Sequence, residues 1–553
     1  MPPNPDITSS DGLVRAGLDL GRLLWAKPLQ IAYEGDFASV ASFFAGNPRE
    51  DDAWAQMIAR VSQGERDRRA VGALVEDQLA RRAAPAEARA AAAQLSDPSA
   101  VAVLTGQQAG LFGGPLYTLL KAITTIQLAR RVATEHGRTV VAIFWVASED
   151  HDWNEVRSTA IVDRNGDLRT MAVPDIAGAG DQPVGALTFD ERIASTVADL
   201  FEALPQTVWT EELRRSLSRH YVPGSNLGSA MAGWLDQLLG RYGLVVFDGA
   251  DPAAKPFVRD LFVGELEAPE RTAGSVRARG EALRARGYPP QVIPAEHATA
   301  LFYLNAAGRH PIRYVDAQFR IGRETRRTED LVSEAAAHPE RFSPNVMLRP
   351  IVQDKLFPTI CYVAGPGELA YQAQFGDVYA SFGVERPLFA SRASITVLDR
   401  PTVRFLERYA LPFEDLSGPD ESALNRLVGR VLAPDVGPAV DDTARAIDEK
   451  LAALKTAAAA VDPTLAGAAD TTVGRMHQVL DTLHRKILRA AKRRDDTLRR
   501  QFAHARTVSF PKGQPQDRVL GVAAVLNQHG PAFIDQLLAE LPADGSRHFL
   551  VVP

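Results

Sequence analysis

The sequence predicts an α/β protein in which a doubly wound parallel sheet is followed by an antiparallel helical hairpin. Two observations carry that prediction. Short apolar runs alternate with helical segments: VAVLT at 101–105, TVVAIFWVAS at 139–148, LVVFD at 244–248, IRYVD at 312–316 and TICYVAG at 359–365. Several are continuous rather than alternating in hydrophobicity, as strands covered on both faces by crossover helices are. After residue 435 the period changes to the 4,3 spacing of a coiled-coil seam.

Taken in order, residues 1–15 read as extended or without regular structure, and two to three helices precede residue 100. In WAQMIARVSQGERDRRAVGALVEDQLARRAA, Met57, Val61, Val71, Leu74, Val75 and Leu79 recur near helical spacing and predict a packing layer. The segments 165–240 and 251–310 are too long for simple crossovers, so the sheet is expected to carry inserted lobes. Val440, Ala444, Ile447, Leu451, Leu454, Ala458 and Val461 form the first seam of the hairpin. DPT at 462–464 interrupts it, with Asp462 suited to an N-cap and Pro463 to a first helical turn. Val473, Met476, Leu480, Leu483 and Ile487 form the second seam, which slips through Ala491, Leu498 and Phe502 as a stutter does. The expected domains are a core over 1–434, the hairpin over 435–508 and a segment returning to the core over 509–553. A seam displayed on each helix can also serve a second copy, which predicts a homodimer.

Composition limits the function classes. The chain has 553 residues and a formal net charge of -6, which argues against a general nucleic-acid or membrane-surface binder. No apolar run approaches the roughly 18 residues of a membrane span, and the N-terminus has no basic stretch followed by an apolar core. A single cysteine, Cys361, excludes an intrachain disulfide and a CxxC-type zinc cluster. These readings predict a cytoplasmic protein.

Chemistry is expected at strand ends. After the first strand, GQQAGLFGG places Gly106, Gln107, Gln108, Gly110, Gly113 and Gly114 before a helix, where an open α/β sheet binds ligands. The spacing fits neither GxxxxGK[ST] nor GxGxxG, so the stretch reads equally as a binding turn or a tight structural one. SEDHDWNEV supplies Ser148, Glu149, Asp150, His151, Asp152 and Glu155 at a second strand end. A histidine beside a carboxylate suits general base work; a solvated acidic loop and a metal site are the other readings.

YVAGPGELA supplies Gly365, Gly367 and Glu368, a partial GxGxxA match that a tight strand-to-helix turn explains equally well. SPNVMLRPIVQDKLFP supplies Asn345, Arg349, Asp354 and Lys355, with Arg392 further on; Arg349 and Lys355 read as phosphate or carboxylate partners or as ordinary salt-bridge residues. The basic stretch 484–506 reads as a solvated helix face.

As a set these residues resemble the BshC family, the cysteine ligases of bacillithiol biosynthesis. The resemblance rests on TGQQAGLFGGPLYTLLKA, FWVASEDHDWNEV, SPNVMLRPIVQDKLFPTICYVAGPGELAYQAQ, PLFASRASITVLDR, DPTL and QDRVLGVAAVLNQHGPAFIDQLL, which span nearly the whole chain. It implies a Rossmann-like core similar to class I aminoacyl-tRNA synthetases, inserted connecting segments and a dimerising antiparallel coiled coil.

The activity it implies is the joining of the L-cysteine carboxyl to the amine of glucosaminyl malate, with ATP as co-substrate. On that reading backbone N–H groups after Gly106 hold phosphate or carboxylate, and Gln107, Gln108, Asn345, Arg349 and Glu368 hold substrates. His151, with Asp150 or Asp152, takes the amine proton. The synthetase-like HIGH and KMSKS signatures are not visible, and a chain with one cysteine lacks the Cys/His zinc set with which related enzymes select cysteine. Another ATP-dependent amide-forming or nucleotidyl-transfer enzyme, or a non-catalytic dimeric binding protein, would fit the same residues.

Overall fold

The computed structural model describes residues 12–418, 421–431, 435–494 and 496–553. They divide into two compact units, one of residues up to 397 joined by 516–553, the other of 398–515. Of the first 15 residues only the last four are described, and Val14–Asp19 is a strand.

At the centre of the larger unit is a five-stranded parallel sheet. Its strands are β1 (Val101–Gln108), β2 (Val140–Ala147), β3 (Val245–Asp248), β4 (Thr359–Ala364) and β5 (Leu388–Ser391). They lie side by side in the order β3-β2-β1-β4-β5. This is the doubly wound arrangement: the chain builds outward from β1 to β3, then returns to the other side of β1. Alternate residues of one strand enter different cores. Val101 and Val103 join one apolar cluster with Leu119, Leu120 and Ile123 of helix α1 (Tyr117–His136), while Ala102 and Leu104 join another with Ile143, Phe247 and Phe389. Burial on both faces is why these runs carry no polar alternation.

One strand is placed differently from expectation. IRYVD lies in Gly308–Val315, which pairs antiparallel in a separate five-stranded sheet with Ala298–Asn305 and Gln318–Ile321. Ile312 is buried while Arg313 is exposed, the alternation of a half-solvated sheet. The fifth parallel strand is instead Leu388–Ser391, at the start of the ASRASIT region.

A third sheet sets the C-terminal strand Arg547–Val551 between Val14–Asp19 and Ser394–Val397. His548 is fully buried there, with Nδ1 2.8 Å from Ser394 Oγ and Nε2 2.8 Å from Thr396 Oγ1.

In the smaller unit, Val436–Val461 and Leu465–Arg494 form an antiparallel hairpin, joined through DPT. Lys455 pairs with Asp470 at 2.6 Å and His477 with Asp448 at 2.8 Å, so each step forward on one helix is a step back on the other. The seam is only half covered: Val440, Ala444, Ile447 and Leu451 are half-buried, whereas Leu454, Met476, Val479 and Leu483 are exposed.

Burial pushes the His548 imidazole down to about 4 from an ordinary 6.5. The unfolded chain therefore binds a proton that the folded chain refuses between those values, and stability falls as pH drops through that window. The difference corresponds to about 3 kcal/mol. Burial raises the carboxyls of Asp354 and Glu265 to about 7, and these titrate in the opposite sense. A His548→Asn variant isolates the imidazole. The expected result is a shallower fall in unfolding free energy from pH 6.5 to pH 4 than in the unaltered protein, measured by urea titration; identical slopes would rule out the assignment.

Candidate functional site

Because β1 and β4 are neighbours whose following helices leave on opposite faces of the sheet, a crevice must open at their C-terminal ends. A cleft of about 310 Å³ lies there. Gly106, Gln107 and Gln108 from the end of β1, Arg349 and Gln353 from helix α2 (Arg349–Leu356), and Gly365, Gly367 and Glu368 from the turn after β4 all line it. Tyr117 and Lys121 of α1, Tyr362, Tyr371, Glu155, Arg392 and Arg518 complete its polar wall.

Lys121 forms the floor. Its side chain is 2% exposed, its Nζ donates to Gly106 O at 2.6 Å and to Gln107 Oε1 at 3.2 Å, and it pairs with Glu368. Burial lowers its pKa, and the Glu368 carboxylate acts against that shift. Glu368 in turn accepts from Tyr362 Oη at 2.8 Å and from the Gly365 N–H at 2.7 Å. The ends of β1 and β4 are thus tied through one ammonium and one carboxylate.

Arg392 is committed as well, donating from Nη1 to Asp517 Oδ2 at 2.7 Å and to Ala393 O at 2.8 Å. Arg349 and Arg518 make no ion pair with any described carboxylate. The cleft thus brings Lys121, Arg349, Arg392 and Arg518 against two carboxylates, Glu155 and Glu368. A surface so biased recruits anionic groups, and arginine forks match carboxylate and phosphate oxygens.

The glycine-rich turn divides into two parts. Gly106 to Gln108 face the cleft, but Gly110, Gly113 and Gly114 do not line it. Gly113 has φ +85°, and a Cβ there would stand 2.4 Å from Trp234 Cζ3; one on Gly110 would stand 2.7 Å from Gly114 Cα. The N–H groups of these three donate inside the chain, to Gln108 O at 2.8 Å, Gly110 O at 3.2 Å and Leu111 O at 3.1 Å respectively. That half of the turn packs, and its amides are not offered to a ligand.

SEDHD also separates. Ser148 is buried against Asp248, and Glu149 forms a buried ion pair with Lys255. Asp152 caps the turn Trp153–Val156, accepting from the Glu155 N–H at 3.1 Å. Asp150 accepts from Gln108 Nε2 at 3.0 Å and from the His151 N–H at 2.8 Å, with Arg309 Nη1 at 3.4 Å. Burial alone would raise its pKa, but His151, Arg309, Gln108 and Arg349 together hold it well below the usual carboxylate range.

His151 Nδ1 lies 3.0 Å from Arg309 Nη1, and an arginine only donates, so that nitrogen's lone pair is engaged. None of Ser148, Glu149, Asp150, His151 and Asp152 lines the cleft; Glu155 alone of that stretch does.

Asn345 also lies outside the cleft. It fixes its own loop, donating to Thr299 O at 3.1 Å and accepting from the Met347 N–H at 2.8 Å. Lys355 pairs with Asp260 at 2.8 Å. The residues that sequence reasoning passed over are Lys121, Tyr117, Gln353, Tyr362, Tyr371 and Arg518. A lone lysine inside the apolar run LLKAITT was the available signal, since such a residue stays buried only when it is paired. Among the described residues no group of three His, Cys, Asp or Glu side chains is placed to hold a metal ion, and no helix is long and apolar enough to cross a membrane.

Fold and cleft define a Rossmann-like α/β protein with an anion-attracting crevice at its switch point and a coiled-coil hairpin. The family model described as "Bacillithiol biosynthesis BshC, N-terminal Rossmann-like domain" matches residues 22–393, and that of the "C-terminal coiled-coil domain" matches 395–552. A Salinibacter ruber protein is 36% identical over 95% of this chain and 96% of its own length. Proteins of Chlorobaculum tepidum (30% identical, 83% of this chain and 84% of theirs) and Heliobacterium modesticaldum (32%, 82% and 83%) are also similar. All three carry the name "Putative cysteine ligase BshC". The chain belongs to the BshC family of bacillithiol biosynthesis, whose relatives' names support a ligase role.

Lys121 and Arg349 differ in what their loss leaves behind. Lys121→Met strands the Glu368 carboxylate and is expected to destabilise the fold by about 3 kcal/mol. Arg349→Met strands no described carboxylate and is expected to lower stability by clearly less. Denaturant titration of both variants checks this, and equal losses would contradict it.

Proposed function

We propose that this chain forms the amide bond between the carboxyl of L-cysteine and the amine of glucosaminyl malate, with ATP activating the carboxyl. One observation carries the reading: the cationic cleft at the switch point, in which Arg349 and Arg518 are not spent on ion pairs. Each of the three reactants brings anionic oxygens, as carboxylate or phosphate, to such a wall. The residues present fit a nucleotide through arginine side chains rather than through a main-chain cradle, because the amides of Gly110, Gly113 and Gly114 are already used. At Gly367 a Cβ would meet nothing within 4 Å, so the backbone there lies open to a ligand.

ATP supplies a leaving group on the cysteine carboxyl when bound. The chain's own part is to hold the reactants in line, to screen their mutual charge with the arginines and to accept the proton released by the amine. Gln107 and Gln108 line that wall as neutral amides, already donating to Tyr117 Oη at 3.2 Å and to Asp150 Oδ2 at 3.0 Å. The protein acts as a homodimer in this reading, with a second copy covering the exposed Leu454, Met476, Val479 and Leu483 of the hairpin.

The test is direct. Purified protein with cysteine, glucosaminyl malate and ATP is expected to give the coupled thiol by mass spectrometry; AMP as the nucleotide product marks adenylyl transfer and ADP phosphoryl transfer. Absence of the coupled product would refute the proposal. Arg349→Met is expected to raise the KM of an anionic substrate about tenfold, the loss of one charge-assisted contact. For the assembly, Val479→Glu with Leu483→Glu is expected to shift the mass measured by light scattering from dimer to monomer; an unaltered mass would exclude the hairpin as the interface.

A further inference from the structure

The cleft contains two carboxylates, and they are not equivalent. Glu368 is committed on both oxygens, to Tyr362, to the Gly365 N–H and to Lys121, so drawing a proton to it would break the tie between β1 and β4. Glu155 stands on the turn Trp153–Val156, at the exposed rim of the same cleft, and its side chain makes no ion pair with any described residue. Its backbone N–H is anchored by Asp152, which fixes the turn, and its carboxylate lines the cleft within hydrogen-bond reach of the Gln108 amide and in the field of Arg349. The neighbouring acidic and imidazole groups are occupied elsewhere: Asp150 by Gln108, His151 and Arg309, and His151 Nδ1 by Arg309.

We propose that Glu155 is the general base that receives the proton of the attacking amine. The inference rests on the amide-forming reading above. In the step, the neutral amine nitrogen attacks the activated carboxyl carbon and the N–C bond forms. One N–H proton passes to a Glu155 oxygen, and the bond from carbon to the phosphate-bearing leaving group breaks, the leaving group keeping the electron pair. Glu155 then returns its proton to water.

Arg349, on the adjoining wall, suits the anionic side of the same reactants, so base and anion site lie within one crevice. The ionisable groups around Glu155 support the role. Burial raises its pKa, Gln108 opposes this, Asp152 and Asp150 add to the rise and Arg349 lowers it. Tyr117, itself pushed up to about 12 by burial, stays protonated beside it. A carboxylate that is more basic than usual is a better proton acceptor near neutrality.

The test compares the unaltered protein with Glu155→Gln and Glu155→Ala in the coupling assay across pH. Glu155→Gln is expected to lower amide formation at saturating substrates about a hundredfold, with the KM values of cysteine and ATP little changed. The acidic limb of its rate–pH profile is expected to disappear, and added formate is expected to restore part of the rate of Glu155→Ala. A Glu155→Gln protein that keeps the full rate and the same pH profile would overturn the assignment. So would one whose rate and substrate KM values worsen together without formate rescue, the mark of a merely structural residue. If the unaltered protein forms no coupled product, the underlying reading fails, and this inference falls with it.

Discussion

The cleft depends on one buried ammonium. Lys121 sits where β1 and β4 part, and a lysine so far from water is tolerable only if its charge is met. It is met on three sides, by a main-chain carbonyl of β1, by the Gln107 amide oxygen and by the carboxylate that caps the turn after β4. The doubly wound order makes a crevice at this point unavoidable; Lys121 determines that the crevice keeps its shape when empty. It does so from the buried first half of α1, where its neighbours are Leu119, Leu120, Ala122 and Ile123, so the strand ends are held from below and their polar faces remain available above.

A second constraint acts on the acidic loop after β2. Left to itself, a run of four carboxylates would repel the anions that the cleft attracts. The inserted antiparallel lobe prevents this by sending Arg309 from the strand Gly308–Val315 to Asp150 and His151, its guanidinium lying 3.7 Å from the centre of the Phe302 ring. Lys255 neutralises Glu149 in the interior, and Asp152 is spent as a cap. Of that loop one carboxylate, Glu155, remains facing the cleft, against an arginine-rich wall. The lobe thus contributes to the site electrostatically, although its own strands lie outside the parallel sheet.

How much of this was legible in the sequence follows from which interactions are local. The parallel strands announce themselves because burial on both faces removes polar alternation, and the hairpin because its spacing changes. GQQ and GPGE mark the strand ends that meet at the cleft. The misplacement of IRYVD has the same root: five residues are too few to distinguish a half-solvated strand from a buried one. Long-range pairing left no such trace. That His151 would face Arg309, that Arg518 would reach a cleft lined by Gly106 and Arg349, or that Gly113 would be pressed against Trp234 could not be read from spacing. SEDHD looked like a single constellation because its residues are adjacent, yet a loop turns neighbouring side chains in different directions.

The two units differ in how their stability arises. In the larger one each strand of the parallel sheet contributes to two apolar clusters, so the sheet is closed in on both faces. The helix Val436–Val461 has no fully buried residue. The ion pairs across the hairpin set its direction, but exposed pairs of this kind contribute at most about 1 kcal/mol each. Helix propensity cannot hold thirty residues in place by itself, since most helical stability comes from packing an apolar face. The stripe of Leu454, Met476, Val479 and Leu483 is such a face, left in water. In the homodimer proposed above, two-fold symmetry supplies a cover without any new sequence, because a second copy presents the same residues in return. In that proposed homodimer, folding of the hairpin is linked to protein concentration.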